Sequence, residues 1–331
     1  MANPSSKTAV AAAIGGNACV MVAKFVAFMF TGSGAMLSES IHTMADLLNQ
    51  ILLMVGIVRS GRDADESFEY GYQSERYVWA LISAVGIFFL GCGVTIYHGI
   101  VTLLHPHELN HLGWAIGVLL FSFLLESAVL LIAVRAAKQQ AGERPLLNFL
   151  RYEADPAVVA VVLEDFVACL GILVALGAIM LTQLTGNLYW DAIGSLVIGG
   201  LLGAIAIWLI ARNSQLLVGA SIPDPIRRQV LRIIEANPAV EEVVDLKTRI
   251  LDTDTYRIKA DVKFDGGALA DKLRPQLRES YQQISTSAQF EEFAHEFAED
   301  IVELLAEEID LIERRIRDSV PQAKHLDLEA E

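Results

Sequence analysis

The sequence is poor in positive charge and in cysteine, and each shortage excludes a class of protein. It has 25 Lys and Arg residues against 40 Asp and Glu residues, which gives a net charge of −15 at pH 7. Because a phosphate backbone is bound by a basic face, this balance argues against nucleic acid as a partner. Cys19, Cys92 and Cys169 all lie in apolar stretches, which indicates small buried residues rather than a disulfide framework.

Long apolar stretches, by contrast, are abundant. Hydrophobic residues make up 53% of the chain and its mean hydropathy is +0.44, which is unusual for a soluble globular protein. Stretches long enough to cross a bilayer alternate with clusters of turn-forming residues, so the pattern predicts six membrane-spanning helices. Their predicted ranges are 8–30, 35–58, 78–104, 112–136, 157–181 and 188–211.

Positive charge near the spans is confined to one side of this six-helix arrangement. The loops on the other side contain no Lys or Arg. By the positive-inside rule the basic side is cytoplasmic, so both termini are predicted to be cytoplasmic. We expect an integral membrane protein, in a bacterial inner (plasma) membrane. The basic residues that flank the spans are Lys7, Arg59, Arg62, Arg76, Arg135, Lys138, Arg144, Arg151 and Arg212.

The composition changes after Arg212, where the chain becomes acidic and loses its long apolar runs. This change predicts a six-span transmembrane domain over residues 1–220 and a cytoplasmic domain over residues 221–331. The order of elements in the second domain suggests a small α+β module with an added long acidic helix. Its predicted elements are a helix at 224–236, strands at 241–251 and 256–264, a long amphipathic helix around 290–316 and a last strand at 325–329.

Four polar residues interrupt the second predicted span. Glu39, His42, Asp46 and Asn49 are spaced three, four and three residues apart, so they lie on one face of a helix. An ionisable side chain is costly at membrane depth and usually faces a pathway or a partner. His42 and Asp46 stand one helical turn apart and can both reach one metal ion, with donors suited to Zn²⁺ or Mn²⁺. Hydrogen bonding between helices is the alternative role.

A second pair of acids lies in the fifth predicted span. Glu164 and Asp165 are adjacent, so their side chains point about 100° apart around a helix. Asp165 is the first choice as a metal ligand, and Glu164 is either a further ligand or a proton carrier. The alternative is that the span begins later and leaves both acids in water.

Short motifs in the first, second and sixth predicted spans form a set. They are Asn17 and Lys24, Thr31-Gly32-Ser33, His42-x-x-x-Asp46, Asp191-Ala192-Ile193-Gly194-Ser195 and Leu216-Leu217-Val218-Gly219. Together they resemble the cation diffusion facilitator family over nearly the whole chain. The residues around Glu164, the segment 70–79 and the long acidic helix resemble the branch that contains vertebrate zinc transporter nine. The resemblance implies a ferredoxin-like cytoplasmic domain and a homodimer that exports divalent cations, usually zinc, in exchange for protons.

The chain departs from the family pattern at one ligand position. The family commonly has a His four residues before the fifth-span Asp, and here that position is Val161. Fewer nitrogen donors weaken the case for tetrahedral zinc, so manganese, iron, cobalt and nickel stay open as substrates. The site that the resemblance implies is His42, Asp46 and Asp165, with a fourth ligand open between Glu164, Glu39 and water.

The last predicted strand carries a second candidate site. His325 and Asp327 alternate along this strand and therefore share a face. In the family the corresponding strand can contribute to a metal site near the dimer interface, so the resemblance implies a regulatory metal site. The alternative is that both are ordinary residues on a strand surface.

These observations predict a transporter of divalent cations. We expect zinc efflux that is coupled to proton antiport through a midplane site on the second and fifth spans. The metal ion and protons are its substrates, the lipid bilayer surrounds it, and a second copy is its expected partner. Zn²⁺ or another divalent cation is expected as substrate, with no fixed cofactor. A metal-sensing or scaffolding membrane protein that transports little is the alternative. An intramembrane metalloenzyme is disfavoured because HExxH spacing is absent, so we do not expect an enzyme.

Overall fold

The chain divides into two compact units, one that ends at Val218 and one that begins at Gly219. The structure is a computed structural model and describes residues 4–106, 112–142, 145–152, 156–252, 255–282 and 284–331. Each unit has a hydrophobic core of its own.

The first unit is built from long helices. They are α1 (Pro4–Thr31), α2 (Gly34–Ser60), α3 (Glu75–Gly86), a π-helical segment (Ile87–Gly93), α4 (Val94–Leu104), α5 (Leu112–Ala141), α6 (Leu146–Tyr152), α7 (Pro156–Thr185) and α8 (Tyr189–Val218). The segments from α3 to α4 run on as one continuous helix, Glu75–Leu104. Gly32 and Gly186 follow α1 and α7 with φ of 68° and 67°, a conformation that favours glycine, so these turns fall where turn formers predicted them.

Five helices in the described ranges are long and apolar enough to cross a membrane. These are Gly34–Ser60, Glu75–Leu104, Gly113–Gln139, Val161–Thr185 and Tyr189–Val218. In α1 the segment Asn17–Thr31 is apolar but shorter. The predicted integral membrane character is therefore confirmed, whereas a span formed by α1 stays a prediction.

Helix α2 lies at the centre of the first unit, where it contacts α1, α3, α7 and α8. Met36 of α2 is fully buried in a core that also contains Ile172 of α7 and Ile198 of α8. On the outside, Phe89 and Ile132 are 66% and 67% exposed. Such exposed apolar side chains suit a lipid environment, and the central position of α2 places its polar residues inside the unit.

Two glycines set the approach of α8 to the helix Glu75–Leu104. A Cβ at Gly199 would lie 2.7 Å from Cγ1 of Ile96, and one at Gly203 would lie 2.8 Å from Sγ of Cys92. Real Cβ atoms essentially never approach so closely, so a larger residue at either position requires a neighbouring side chain to shift. The Gly-x-x-x-Gly spacing therefore has a packing role.

The second unit combines a three-stranded sheet with helices. Its elements are α9 (Asp224–Glu235), β1 (Val240–Asp252), β2 (Thr255–Phe264), α10 (Gly266–Lys272), α11 (Arg274–Tyr281), α12 (Ser287–Ser319) and β3 (Ala323–Ala330). The strand order is β1-β2-β3, with β1 antiparallel to β2 and β2 parallel to β3. A parallel pair needs a crossover connection, which the segment from α10 to α12 supplies. The predicted order of helix, strand, strand, helix and strand is confirmed.

The core of the second unit lies between the sheet and two helices. Strand β2 buries Ile258, Ala260 and Val262, the alternate positions that its pattern predicts. Helix α12 packs Ile312 and Ile316 against them. The long amphipathic helix predicted from its 3–4 spacing is therefore confirmed.

Candidate metal site

A small cavity in the first unit brings several acids together. Its volume is about 30 Å³, enough for a water molecule. Asp46 of α2, Glu126 of α5, and Glu164 and Asp165 of α7 all line it, as does Val161 one turn before Asp165. The other lining residues are Asn17, Thr43, Gln50, Val129 and Ala168. Asp46, Glu164 and Asp165, which the sequence singles out, thus meet at one cavity, whereas His42 and Glu39 do not line it.

Some carboxylate oxygens of these acids are buried without a hydrogen-bond partner. They are Oε2 of Glu126, Oε1 of Glu164 and Oδ2 of Asp165. A buried polar atom without a partner is costly, so such atoms are sites for a water molecule, a proton or a cation. Convergent carboxylate oxygens are also the donors that hard divalent cations prefer.

His42 lies on the same helix as Asp46, one turn earlier. Its side chain is buried, and Nε2 stands 3.6 Å from Oδ2 of Asp46, too far for a hydrogen bond. Neither ring nitrogen has a hydrogen-bond partner. A buried imidazole with unused nitrogens is chemically suited to metal ligation, because a neutral ring offers a lone pair.

Hydrogen bonds between side chains connect Glu164 of α7 to Ser83 of α3 through Asn49 of α2. Nδ2 of Asn49 donates to Oε2 of Glu164, and Oγ of Ser83 donates to Oδ1 of Asn49. Helices α2, α3 and α7 are thereby joined through side chains. These hydrogen bonds orient Oε2 of Glu164, whereas its other oxygen, Oε1, has no partner.

Glu39, the further candidate ligand, belongs to a buried ion cluster. Nζ of Lys24 lies 3.1 Å from Oε2 of Glu39, 2.9 Å from Oγ1 of Thr43 and 2.9 Å from Oε1 of Glu126. The sequence interpretation did not foresee this cluster. The available signal was Lys24 itself, because a lysine in an apolar segment needs a charged partner.

Asp191, at the start of α8, is a buried acid of a different kind. Its Oδ1 accepts from Oγ of Ser33 at 2.6 Å and from the amide of Ala35 at 3.3 Å. Its Oδ2 accepts from the amide of Gly34 at 2.6 Å. Asp191 therefore caps the N-terminus of α2, where the backbone N–H groups lack partners within the helix.

The ligand candidates do not form a closed coordination shell. Within the described ranges, no three His, Cys, Asp or Glu side chains stand close enough to hold one metal ion. His42 contacts Asp46 on its own helix, while Asp165 approaches the cavity from α7. Binding of one ion by all of them requires their side chains to come closer together than they lie here.

The second candidate site lies on β3. His325 is paired in register with Arg257 of β2, and Asp327 with Lys259. Burial lowers the pKa of His325, and the positive charges of Arg257 and Lys324 lower it further. Both effects favour the neutral ring, but its neighbours in register on β2 are cations rather than further metal ligands.

Together these features define a class: a helical membrane protein with a buried, acid-lined cavity among its spans, an arrangement suited to carrying a cation. A family model, the cation efflux transmembrane domain, matches residues 10–218. This match covers more than half of the sequence, and the chain belongs to the cation efflux family. The resemblance inferred from the motifs is confirmed.

Proteins similar to this chain cover almost all of it. A Xenopus laevis protein named proton-coupled zinc antiporter SLC30A9, mitochondrial, is 38% identical over 315 residues, 92% of this chain and 56% of its own length. The Homo sapiens protein of that name is 36% identical over 335 residues, 98% of this chain and 58% of its own length. Metal tolerance protein C4 of Arabidopsis thaliana is 34% identical over 336 residues, 98% of this chain and 73% of its own length. The chain thus spans little more than half the length of these vertebrate relatives.

Proposed function

We propose that this chain exports a divalent cation, with zinc as its substrate, in exchange for protons. The observation that carries the proposal is the cavity to which α2 and α7 contribute Asp46, Glu164 and Asp165. Membership of the cation efflux family supports it. So do the names of the vertebrate relatives, which describe those proteins as proton-coupled zinc antiporters.

The proposed transport site consists of His42, Asp46 and Asp165, with Glu164 as the fourth ligand. Glu164 is favoured over Glu39 because Glu164 lines the cavity and Glu39 does not. The ion enters from the cytoplasmic side and displaces protons, since only deprotonated ligands bind metal. Rocking of the helices then opens the other side, where protons return to the ligands and release the ion. The carboxylates offset most of the ion's charge, which lowers the cost of holding it at membrane depth.

Zinc is proposed ahead of manganese because of His42, and ahead of iron, cobalt and nickel because the vertebrate relatives are named as zinc antiporters. An imidazole suits zinc better than it suits hard cations such as Mn²⁺, and both nitrogens of this ring are unused. His42→Asn should therefore shift the substrate preference from zinc towards manganese. Competition between the two metals in a transport assay measures that shift.

The family resemblance extends the proposal to the architecture. Helix α1 completes six spans, residues 1–220 form the transmembrane domain, and residues 221–331 form a ferredoxin-like cytoplasmic domain. The protein acts as a homodimer, with His325 and Asp327 as ligands of a regulatory metal. The one-sided distribution of Lys and Arg favours cytoplasmic termini, and we propose the bacterial inner membrane as the location.

Transport by reconstituted protein tests the proposal. In proteoliposomes that contain a zinc-sensitive dye, a pH gradient should drive zinc flux. Asp46→Ala and Asp165→Ala should each lower that flux by about 100-fold, because each removes a charged ligand. Asp245→Asn on the exposed face of β1 is the matched control and should leave flux unchanged. Flux that survives both cavity substitutions overturns the site assignment.

A metal-sensing or scaffolding role is the second candidate. It is favoured because, among the described residues, no three His, Cys, Asp or Glu side chains are placed to bind one metal ion. A sensor would bind zinc saturably and carry no flux under a pH gradient. The same proteoliposomes, combined with a binding isotherm, separate the two functions.

A further inference from the structure

Lys24 and Glu126 have no role in a site on α2 and α7 alone. Lys24 is 0% exposed, and it lies in the apolar segment Asn17–Thr31 of α1. An ammonium group has three N–H donors, and here Glu39, Thr43 and Glu126 each accept one. One side chain of α1 therefore holds α2 and α5 together.

Glu126 faces both this ammonium group and the cavity. Its Oε1 accepts from Lys24, while its Oε2 is buried without a hydrogen-bond partner. Glu126 lines the cavity together with Asp46 and Asp165. Glu164 also lines it, is only 6% exposed, and keeps Oε1 without a partner. The cavity thus offers unsatisfied acceptors from two helices, which points to a cationic occupant.

Five carboxyl groups and one ammonium group lie at the cavity or in the adjoining ion cluster. Carboxylates that converge in a medium of low dielectric constant repel one another, and a divalent cation removes that repulsion. The ammonium of Lys24 offsets part of the negative charge in the same way, but it is attached to the protein and cannot leave. The carboxylates concerned are those of Glu39, Asp46, Glu126, Glu164 and Asp165.

A purely structural ion pair is the competing explanation for Lys24. Glu39 on the adjacent α2 already balances the charge of Lys24, and Thr43 accepts a second N–H. The contact with Glu126 adds an acid whose second oxygen is left unpaired, which is costly if stability alone is served. The incomplete pairing of Glu126 is explained if that oxygen has a partner at another stage of the transport cycle.

We propose that Lys24 is a tethered counter-cation and that Glu126 is a further carboxylate of the transport site. In the ion-free protein, the ammonium holds Glu39 and Glu126. When a divalent cation enters the cavity, Glu126 turns from Lys24 to the ion, and Lys24 keeps Glu39 and Thr43. The position of α5 is thereby coupled to occupancy of the site. This inference rests on the proposed cation transport.

Zinc affinity of the purified full-length protein, measured by titration calorimetry, tests the inference. Glu126→Gln keeps the pair between Lys24 and Glu39, so the fold is retained, and affinity should fall by about tenfold. Lys24→Met removes the competing cation and should raise affinity by about tenfold, while pH-driven flux falls because the bound ion leaves slowly. Lys24→Arg keeps the charge and should stay within about threefold of wild type.

Controls separate this role from a structural one. Lys24→Met leaves two buried carboxylates without a counter-charge, so the double variant Lys24→Met/Glu39→Gln replaces it if the single variant does not fold. Asp191→Asn, a buried acid outside the cavity, should lower the melting temperature without changing zinc affinity. If Glu126→Gln lowers the melting temperature and leaves zinc affinity at the wild-type value, the inference is overturned while the proposed function stands. Absence of flux from the wild type would instead overturn the proposed function.

Discussion

Buried acids in the first unit fall into two groups that differ in how completely they are paired. Asp191 accepts hydrogen bonds at both oxygens. Glu39, Glu126, Glu164 and Asp165 each keep one buried oxygen without a partner. A fully paired carboxylate is committed to the contacts that it makes. A half-paired one is available to a proton or a metal ion, so the pairing distinguishes structural from functional acids.

Position along a helix explains the difference. Asp191 stands opposite the N-terminus of α2, where backbone N–H groups have no acceptor within the helix and where the helix dipole favours negative charge. The cavity acids stand within helices, where the backbone donors are already used. Only side chains, water, protons or ions can satisfy them. An acid placed in the middle of a span therefore stays chemically available.

The largest effect is expected for the fully paired acid. Asp191→Ala leaves Ser33 and the amides of Gly34 and Ala35 without their acceptor, and should lower the free energy of unfolding by about 3 kcal/mol. Thermal unfolding in detergent measures the loss. Zinc affinity of the protein that stays folded should not change. A variant with normal stability but weakened zinc binding would place Asp191 among the functional acids and break the comparison.

The next effect comes from supplying the ligand that the cavity lacks. Val161 lines the cavity one turn before Asp165, so Val161→His puts an imidazole beside the unpaired oxygens. Zinc affinity should rise by about tenfold, or ~1.4 kcal/mol, while affinity for manganese changes little because a hard cation gains less from nitrogen. Titration with both metals measures the difference. Val129→His, at another lining position, is the matched control; an equal gain there would show that the register with Asp165 does not matter.

Spacing within helices could be predicted from the sequence, and contacts between distant helices could not. The stripe of His42, Asp46 and Asn49 follows from a local 3–4 pattern, and α2 carries it as expected. The partners of Lys24, by contrast, lie 15 and 102 residues away. No local periodicity encodes such a pairing, because it depends on which helix faces pack together. The sequence shows Glu126 as a single acid in the fourth predicted span, but it does not show that Glu126 contacts Lys24 and also lines the cavity.

The same reasoning applies in the second unit. Alternation in β2 and the 3–4 pattern of α12 fix which faces are buried, because a sheet with one helical layer has one core. The π-helical segment Ile87–Gly93 was not predictable, since its apolar residues fit an α-helix equally well. The spacing of apolar residues determines which face of an element is buried. Whether a helical segment is α-helical or π-helical depends on how it packs.

A smaller effect on zinc affinity is expected from the hydrogen bonds that orient Oε2 of Glu164. Ser83→Ala removes the hydroxyl that orients Asn49, so the amide can turn away from Glu164. The loss of one neutral hydrogen bond is worth about 1 kcal/mol and should weaken zinc binding by about fivefold. Ser122→Ala, a buried serine on α5, is the control. Unchanged zinc affinity in Ser83→Ala would show that the orientation of Glu164 does not contribute to the site.

The smallest effect concerns an imidazole outside the membrane unit, which contrasts with the unpaired His42. Burial and then the charges of Arg257 and Lys324 lower the pKa of His325 below its usual value of 6.5. The unfolded chain therefore binds a proton more readily than the folded one, so stability is highest above pH 6.5 and falls as the pH drops towards the folded pKa. His325→Gln should remove this dependence, a change of about 2 °C or less in the melting temperature of the second unit. Lys324→Gln should reduce this pH dependence, because the ring loses one repelling charge. If the melting temperature depends on pH equally in the wild type and both variants, His325 does not titrate in this range.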